Sequence, residues 1–158
     1  MAVSYWFLQI AAFGASLVYV NWLEWWFHKH VLHGLGKNPK SWWRFHWSEH
    51  HYHSRRNGFS DPDYHEPLTR WNAQTKELFA MFLGAIAHLP LLLVAPGAYI
   101  GVVYGGVRYY FTHRKAHLNP EWAREHLSWH YRHHMGANQD SNWCVTRPWF
   151  DRLLGTLE

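Results

Sequence analysis

The chain of 158 residues is long enough for one domain, and its formal net charge of +4 is too small to indicate nucleic-acid binding by itself. It contains 15 histidines and 12 tryptophans but one cysteine, Cys144, which excludes an internal disulfide and a CxxC metal site. Any metal that the histidines bind is therefore bound without thiolate help.

The first apolar segment runs from Val3 to Leu23 and contains no charged residue. A helix over this segment would be about 31 Å long, which is one bilayer crossing. Trp22, Trp25 and Trp26 follow at the place where an interfacial aromatic belt would lie. The run is too long for a cleavable signal peptide and lacks a basic region before it. We predict a membrane span over residues 3–27; the alternative is a buried core helix.

The second uncharged run extends from Leu78 to Val107, which is too long for one straight span and rather short for two. Pro90 and the pair Pro96-Gly97 interrupt its middle and indicate a helix-turn-helix hairpin. We therefore predict two further spans, over residues 71–95 and 97–117, that use aromatic and charged flanks to complete their length.

The basic residues indicate the orientation of these spans. All 15 Lys and Arg residues lie outside the apolar runs, eight between Lys29 and Lys76 and seven from Arg108 onward. A hairpin places all of them on one side of the membrane, which the positive-inside rule makes cytoplasmic. The sequence thus predicts an all-α integral membrane helical bundle of one domain, with its N-terminus outside and a cytoplasmic cap of residues 28–70 and 118–158.

Ten histidines form four groups, all on the predicted cytoplasmic side. Residues three or four apart share a helix face, which favours the pairs His46 with His50, His113 with His117, and His130 with His133 or His134. The adjacent member of each HH doublet lies about 100° round the helix, where it reaches a neighbouring site. The groups are His28 and His33; His46, His50 and His51; His113 and His117; and His130, His133 and His134.

Neutral imidazole suits iron, zinc, copper and nickel. Four ligands satisfy a structural zinc, so ten histidines favour two metals with about five ligands each. The Glu-x-x-His pattern of soluble di-iron proteins and the HExxH pattern of zinc peptidases are both absent from the sequence. One alternative is a non-catalytic membrane protein that binds zinc, nickel or copper, as a sensor or transporter.

The order HxxxxH, HxxxHH, HxxxH, HxxHH around apolar spans resembles the integral-membrane fatty acid hydroxylase superfamily, which includes sterol desaturase-like proteins and carotenoid hydroxylases. The tail "NWCVTRPWFDRLLGT" resembles the family's ending, and "HKHVLHG" and "YGGVRYYFTHRKAH" resemble the carotenoid hydroxylase branch. The resemblance covers residues 24–156, nearly the whole chain.

This resemblance implies a di-iron centre held by the ten histidines, with O2 as co-substrate. It implies hydroxylation of a C–H bond in a lipid (a fatty acyl chain, a sterol or a carotenoid) that enters from the bilayer. Two electrons would come from a separate donor of the ferredoxin or b-type cytochrome class. Because family members commonly have four or more spans, a second protomer is expected to complete the lipid-facing surface. The HxxxHH spacing keeps a desaturase on the same core as a further alternative.

An all-nitrogen ligand set predicts outer hydrogen-bond acceptors that orient the imidazole rings. The candidates for this role are Glu24, Glu49, His126, Asp140, Asn142 and Asp151.

Overall fold

The computed structural model describes residues 2–158, which are helical with no strand in that range. Helix α1 continues directly into a π-helical segment. Short helices then lead to a helical hairpin in the middle of the chain, called the central hairpin below, and to a helical C-terminal part. The α-helices are α1 Ala2–Phe27, α2 Tyr52–Arg56, α3 Ala73–Ala87, α4 Leu91–Val94, α5 Pro96–Leu118, α6 Pro120–His126, α7 Ser128–Met135 and α8 Trp149–Leu153. The π-helical segments are His28–Gly34 and His46–His51, and 3-10 turns cover Leu35–Lys37, Trp42–Arg44 and Pro62–His65.

Helix α1 covers the first predicted span and leaves most of its apolar side chains exposed, Trp6 and Phe7 among them. Within the described residues, the segment Val3–Lys37 alone is long and apolar enough to cross a membrane. Signal sequences and core helices pass the same test of length and composition. Because α1 is largely exposed here, the core-helix alternative does not fit this structure.

The central hairpin has its turn at Ala95, next to the predicted turn, and α5 begins at Pro96. The predicted arm over residues 71–95 is not one continuous helix, however. Helix α3 ends at Ala87 and a turn separates it from α4. Pro90 explains the break because it has no N–H to donate to a carbonyl four residues earlier.

Helices α1 and α5 pack closely through three glycines spaced four residues apart on α5, Gly97, Gly101 and Gly105. A Cβ atom on Gly97 would lie 2.2 Å from the backbone oxygen of Gln9, and one on Gly105 would lie 2.8 Å from a methyl group of Val20. The Gly97 N–H also donates to the Gln9 Oε1 at 2.9 Å. Small residues at this spacing are typical of helix pairs in membranes, where close backbone approach provides the packing energy.

Gly97→Ala is expected to lower the free energy of unfolding by about 1–3 kcal/mol, because a methyl group against the Gln9 backbone forces α1 and α5 apart. The measurement is SDS-induced unfolding of the purified protein in mixed micelles. Gly14→Ala is the matched control, since a Cβ on Gly14 has nothing within 4 Å. Equal stability of the two variants would contradict the packing role of Gly97.

Candidate metal centre

Two of the four histidine groups lie on π-helical segments. His28 and His33 lie in His28–Gly34, and the HxxxHH group fills His46–His51. A π-helix forms its hydrogen bonds between residues five apart and is therefore wider than an α-helix. Side chains five positions apart consequently point more nearly in the same direction than they do on an α-helix. His33 thereby joins His28, and His51 joins His46, although an α-helix would turn each of these pairs apart.

The structure brings these histidines together in two buried clusters. In each cluster the ligand atoms lie within 4.8 Å of one another. Every member is 4% exposed or less, so the rings are shielded from bulk solvent. The first cluster consists of His28, His33, His46, His51 and His133, and the second cluster consists of His50, His113, His117 and His134.

The tenth histidine, His130, lies beside the second cluster. Its Nε2 is 3.2 Å from the Nε2 of His117, and its side chain is fully buried. Its Nδ1 has no hydrogen-bond partner among the described residues. With His130 included, each cluster has five histidines.

Both HH doublets are divided between the clusters, as expected from their directions on a helix: His50 and His134 belong to one, His51 and His133 to the other. The expected pairing of His46 with His50 needs correction, because His46 shares its cluster with His51. The wider turn of the π-helix brings His51 round toward His46, and His50 instead bonds to Asp61 on the side of the second cluster.

Seven of the ten rings have their Nδ1 next to an oxygen acceptor. Backbone carbonyls accept from three of them, at 2.6 Å for His28 with Trp143, 2.8 Å for His117 with Phe59 and 2.7 Å for His133 with Ser141. Side-chain oxygens lie beside the other four: Asp140 at 3.3 Å from His33, Asp61 at 2.7 Å from His50, Gln139 at 2.8 Å from His51 and Glu77 at 2.8 Å from His113. Since a carbonyl or carboxylate oxygen only accepts, the proton of these neutral rings lies on Nδ1 and leaves a lone pair on Nε2.

The Nε2 atoms face one another at the centre of each cluster. They are 3.0 Å apart in His28 and His46, 3.1 Å in His33 and His51, and 3.2 Å in His113 and His117. In the pairs His33 with His51 and His113 with His117, both rings carry the proton on Nδ1, so the contact brings two lone pairs together and is repulsive. A proton or a metal ion between the nitrogens would remove the repulsion.

Protonation is disfavoured by burial. Desolvation lowers the pKa of His28 to about 4, and it lowers the pKa of His46 and His51 well below 6.5. Neighbouring histidines add to the effect for His46 and His51, because a second positive charge in the same dry cluster is unfavourable. A metal ion between the nitrogens would satisfy the lone pairs without adding a proton to any ring.

The spacing of the nitrogens fits metal ligands. Two nitrogens that each lie about 2.1 Å from one ion are about 3.0 Å apart at a right angle and about 3.4 Å apart at the tetrahedral angle. The observed contacts of 3.0 to 3.2 Å are closer to the first value. Five histidines in a cluster also exceed the four ligands of structural zinc.

Of the predicted orienting residues, Asp140 lies beside a cluster histidine and also pairs with Lys37. Glu49 pairs with Lys76 instead, and His126 is exposed and stacks on Trp122. Asn142, in the left-handed region with φ of 57°, accepts from the Glu158 N–H. None of these last three has a hydrogen bond to a cluster histidine among the described residues.

Glu24 and Asp151 act on the clusters through the C-terminal segment. Asp151 is buried and accepts from the N–H groups of Trp143 and Cys144, both at 2.8 Å. These bonds position the Trp143 carbonyl that accepts from His28. Glu24 accepts from the N–H groups of Val145 and Thr146 and so ties the same segment to α1.

Several contacts of the clusters had not been predicted. Asp61, Glu77 and Gln139 accept from cluster histidines, and the Tyr64 hydroxyl bonds to Glu77 and lies 3.0 Å from the His113 Nδ1. Glu77 had a recognisable signal, since an acidic residue at the start of a predicted span is a functional candidate by default. The backbone carbonyls of Phe59, Ser141 and Trp143 could not have been recognised as acceptors in the sequence, because every residue type has a backbone carbonyl.

A largely apolar cavity of about 460 Å³ leads from the two clusters between α1, α3 and α5. Both clusters border it: His28 and His46 from the first, His50 and His113 from the second. Glu24, Glu77, Tyr64 and Tyr109 are the other polar groups near this end. The rest of the wall is apolar apart from His88, and the volume is in the range of small-molecule sites.

Comparisons with protein-family models, with curated proteins and with solved structures found no match.

We expect close to two metal ions per chain in the purified protein and about one in His133→Ala or His117→Ala, since each variant removes a ligand from one cluster. Elemental analysis of samples loaded anaerobically with iron-57 gives the count, and a Mössbauer spectrum shows whether the two ions are coupled. His126→Ala is the control, because the exposed His126 side chain contacts Glu125 and Trp122 rather than a cluster histidine. Equal metal content in all variants would refute the assignment.

Acid is expected to destabilise the metal-free protein. In the unfolded chain His28 binds a proton below about pH 6.5, whereas in the fold its pKa of about 4 keeps it neutral. The unfolded state thus binds more protons between these values, and the free energy of unfolding falls as pH falls, by up to about 1.4 kcal/mol per pH unit for each such histidine.

The measurement is SDS-induced unfolding of metal-free protein between about pH 7.5 and pH 5. His28→Gln should show a shallower dependence on pH than the unmodified protein. A free energy of unfolding that does not change over this interval would show that the buried histidines do not stay neutral.

Proposed function

We propose that the protein is a membrane di-iron oxygenase that hydroxylates a C–H bond of a lipid. The observation that carries the proposal is the apolar cavity that ends on both histidine clusters. A non-catalytic metal site has no need for such a cavity, whereas an oxygenase must hold a water-insoluble molecule beside its metals.

The first cluster would hold one iron through His28, His33, His46, His51 and His133, and the second would hold the other through the remaining five histidines. When bound, this pair supplies activation of O2. The overall reaction consumes a C–H group, O2, two electrons and two protons, and gives an alcohol and water. The electrons would come from a separate donor of the ferredoxin or b-type cytochrome class, as the family resemblance implies.

The residues of the chain have separate tasks in this proposal. The apolar side chains that line the cavity, Val20 and Val107 among them, would bind the substrate and exclude water from the reacting carbon. Asp61, Glu77, Asp140 and Gln139 keep four Nδ1 protons in place, so that the Nε2 atoms stay directed at the metals. Tyr64 donates its hydroxyl proton to Glu77 and so steadies the carboxylate next to His113.

The distribution of Lys and Arg supports a three-span topology with the clusters on the cytoplasmic side and the N-terminus outside. In that arrangement the cavity opens toward the hydrocarbon of the bilayer, and the clusters lie at the interface where a soluble electron donor has access. A second protomer would cover part of the exposed apolar surface of α1 and α5.

The test uses iron-loaded protein in nanodiscs containing palmitoyl phospholipid, cholesterol or β-carotene, with photoreduced ferredoxin and ¹⁸O2. We expect an alcohol that carries one ¹⁸O atom, and the loss of product in His117→Ala. An alkene without label would show a desaturase on the same core. Two bound metals without any oxidised lipid in the three membranes would favour the metal-binding alternative.

A further inference from the structure

His88 occupies an unusual position, because it is a polar side chain among apolar residues of the central hairpin. Its Nδ1 lies 2.7 Å from the Gly84 carbonyl oxygen, and its Nε2 lies 3.0 Å from the Tyr19 hydroxyl. Since the carbonyl only accepts, Nδ1 carries the proton and the Tyr19 hydroxyl donates to Nε2. Both ring nitrogens are therefore satisfied, and the ring is held from α1 and from α3 at once.

His88 also marks the end of the cavity that is remote from the clusters. The cavity is lined by α1 from Val20 toward His28 and by α5 from Val102 toward His113. Both helices continue past Val20 and Val102, but no residue of those parts lines the cavity. There Gly97 and Gly101 bring the two helices into contact and close the space between them.

The depth of the cavity follows from the helix rise. Glu77, which accepts from His113, lies eleven residues before His88, and eleven residues of helix cover about 16 Å. The wall between these two levels includes Ala80, Gly84 and Ala85 of α3 together with Met81 and Phe82. Over a depth of about 16 Å, a cavity of about 460 Å³ has a mean cross-section of about 29 Å², so it forms a slender apolar channel.

Resting on the oxygenase function proposed above, we propose that the substrate is a lipid with a slender, unbranched apolar chain, and that His88 determines its length. The chain would lie along α3 with the reacting carbon at the cluster end. The imidazole of His88 ends the channel and limits how far the chain extends beyond that carbon. Tyr19 is a positioning residue, because it holds the His88 ring in this place.

The expected preference for one chain length follows from the free energy of binding. A methylene that moves from the micelle interior into the channel exchanges one apolar environment for another, so hydrophobic transfer contributes little to the preference for one chain length. A substrate methylene can extend beyond His88 only if the imidazole ring moves. That movement breaks the hydrogen bonds of the ring to Gly84 and Tyr19 and so weakens binding.

The experiment is native mass spectrometry of the full-length protein with an equimolar mixture of straight-chain alcohols, from octanol to octadecanol, in detergent micelles. We expect one preferred chain length in the unmodified protein. In His88→Ala, the alcohol two carbons longer should gain about tenfold relative to that optimum, because it no longer has to displace a hydrogen-bonded ring. In Tyr19→Phe the optimum should broaden toward longer alcohols, since the ring remains but is no longer held.

Ala85→Phe should shift the preference in the opposite direction, because its ring fills the same end of the channel. This variant tests the proposal even where His88→Ala fails to fold. Leu89→Ala is the control, since Leu89 is 43% exposed, lies next to His88 and does not line the cavity. Its chain-length profile should match that of the unmodified protein.

An unchanged profile in His88→Ala and Ala85→Phe would overturn the proposal. Preferential binding of cholesterol over every alcohol, tested in the same micelles, would overturn the assignment of a slender chain. The readout is binding and does not depend on turnover. A shifted profile without oxidised product would therefore contradict the oxygenase function alone, and product formation without a shift would contradict the role of His88 alone.

Discussion

The structure depends on ten neutral imidazoles that face one another in a dry interior. Where both rings carry the proton on Nδ1, their Nε2 lone pairs meet at 3.1 to 3.2 Å, and burial disfavours the protonation that would relieve the repulsion. Two cations in these positions would turn the least favourable contacts of the fold into its strongest ones. We therefore expect metal binding and folding to be thermodynamically coupled in this protein.

Much of the remaining chain keeps those rings in position. The buried Asp151 and Glu24 hold residues 143–146 in place, and through them the Trp143 carbonyl reaches His28. Asp61 and Glu77 come from segments that precede and begin the central hairpin, and each accepts from one ring of the second cluster. The clusters thus connect the N-terminal helix, the hairpin and the C-terminal segment, and no single helix provides a complete site.

The packing of α1 against α5 links the histidine clusters to the apolar cavity. Gly97 and Gly101 hold the two helices together at the end remote from the clusters. Toward the clusters the larger residues Val20 and Leu23 line the opening, where α3 forms the third wall. The same pair of helices therefore closes the channel at one end and presents His28 and His113 at the other, which suits the proposed oxygenase because it would have to exclude water from a reactive carbon.

The sequence by itself determined the helical class, the first apolar helix, the hairpin turn near Ala95 and the set of ten histidines. These follow from local properties: hydrophobic run length, proline positions and the periodicity of one residue type. The tertiary structure alone decided how the histidines divide, because the π-helical turns that place His51 rather than His50 with His46 are not encoded in a three-or-four-residue spacing. It also decided which acceptors orient the rings, since the carbonyls of Phe59, Ser141 and Trp143 belong to every residue type alike. The cavity and its end at His88 likewise come from helices that are distant in sequence, and only their packing brings Tyr19 and His88 together.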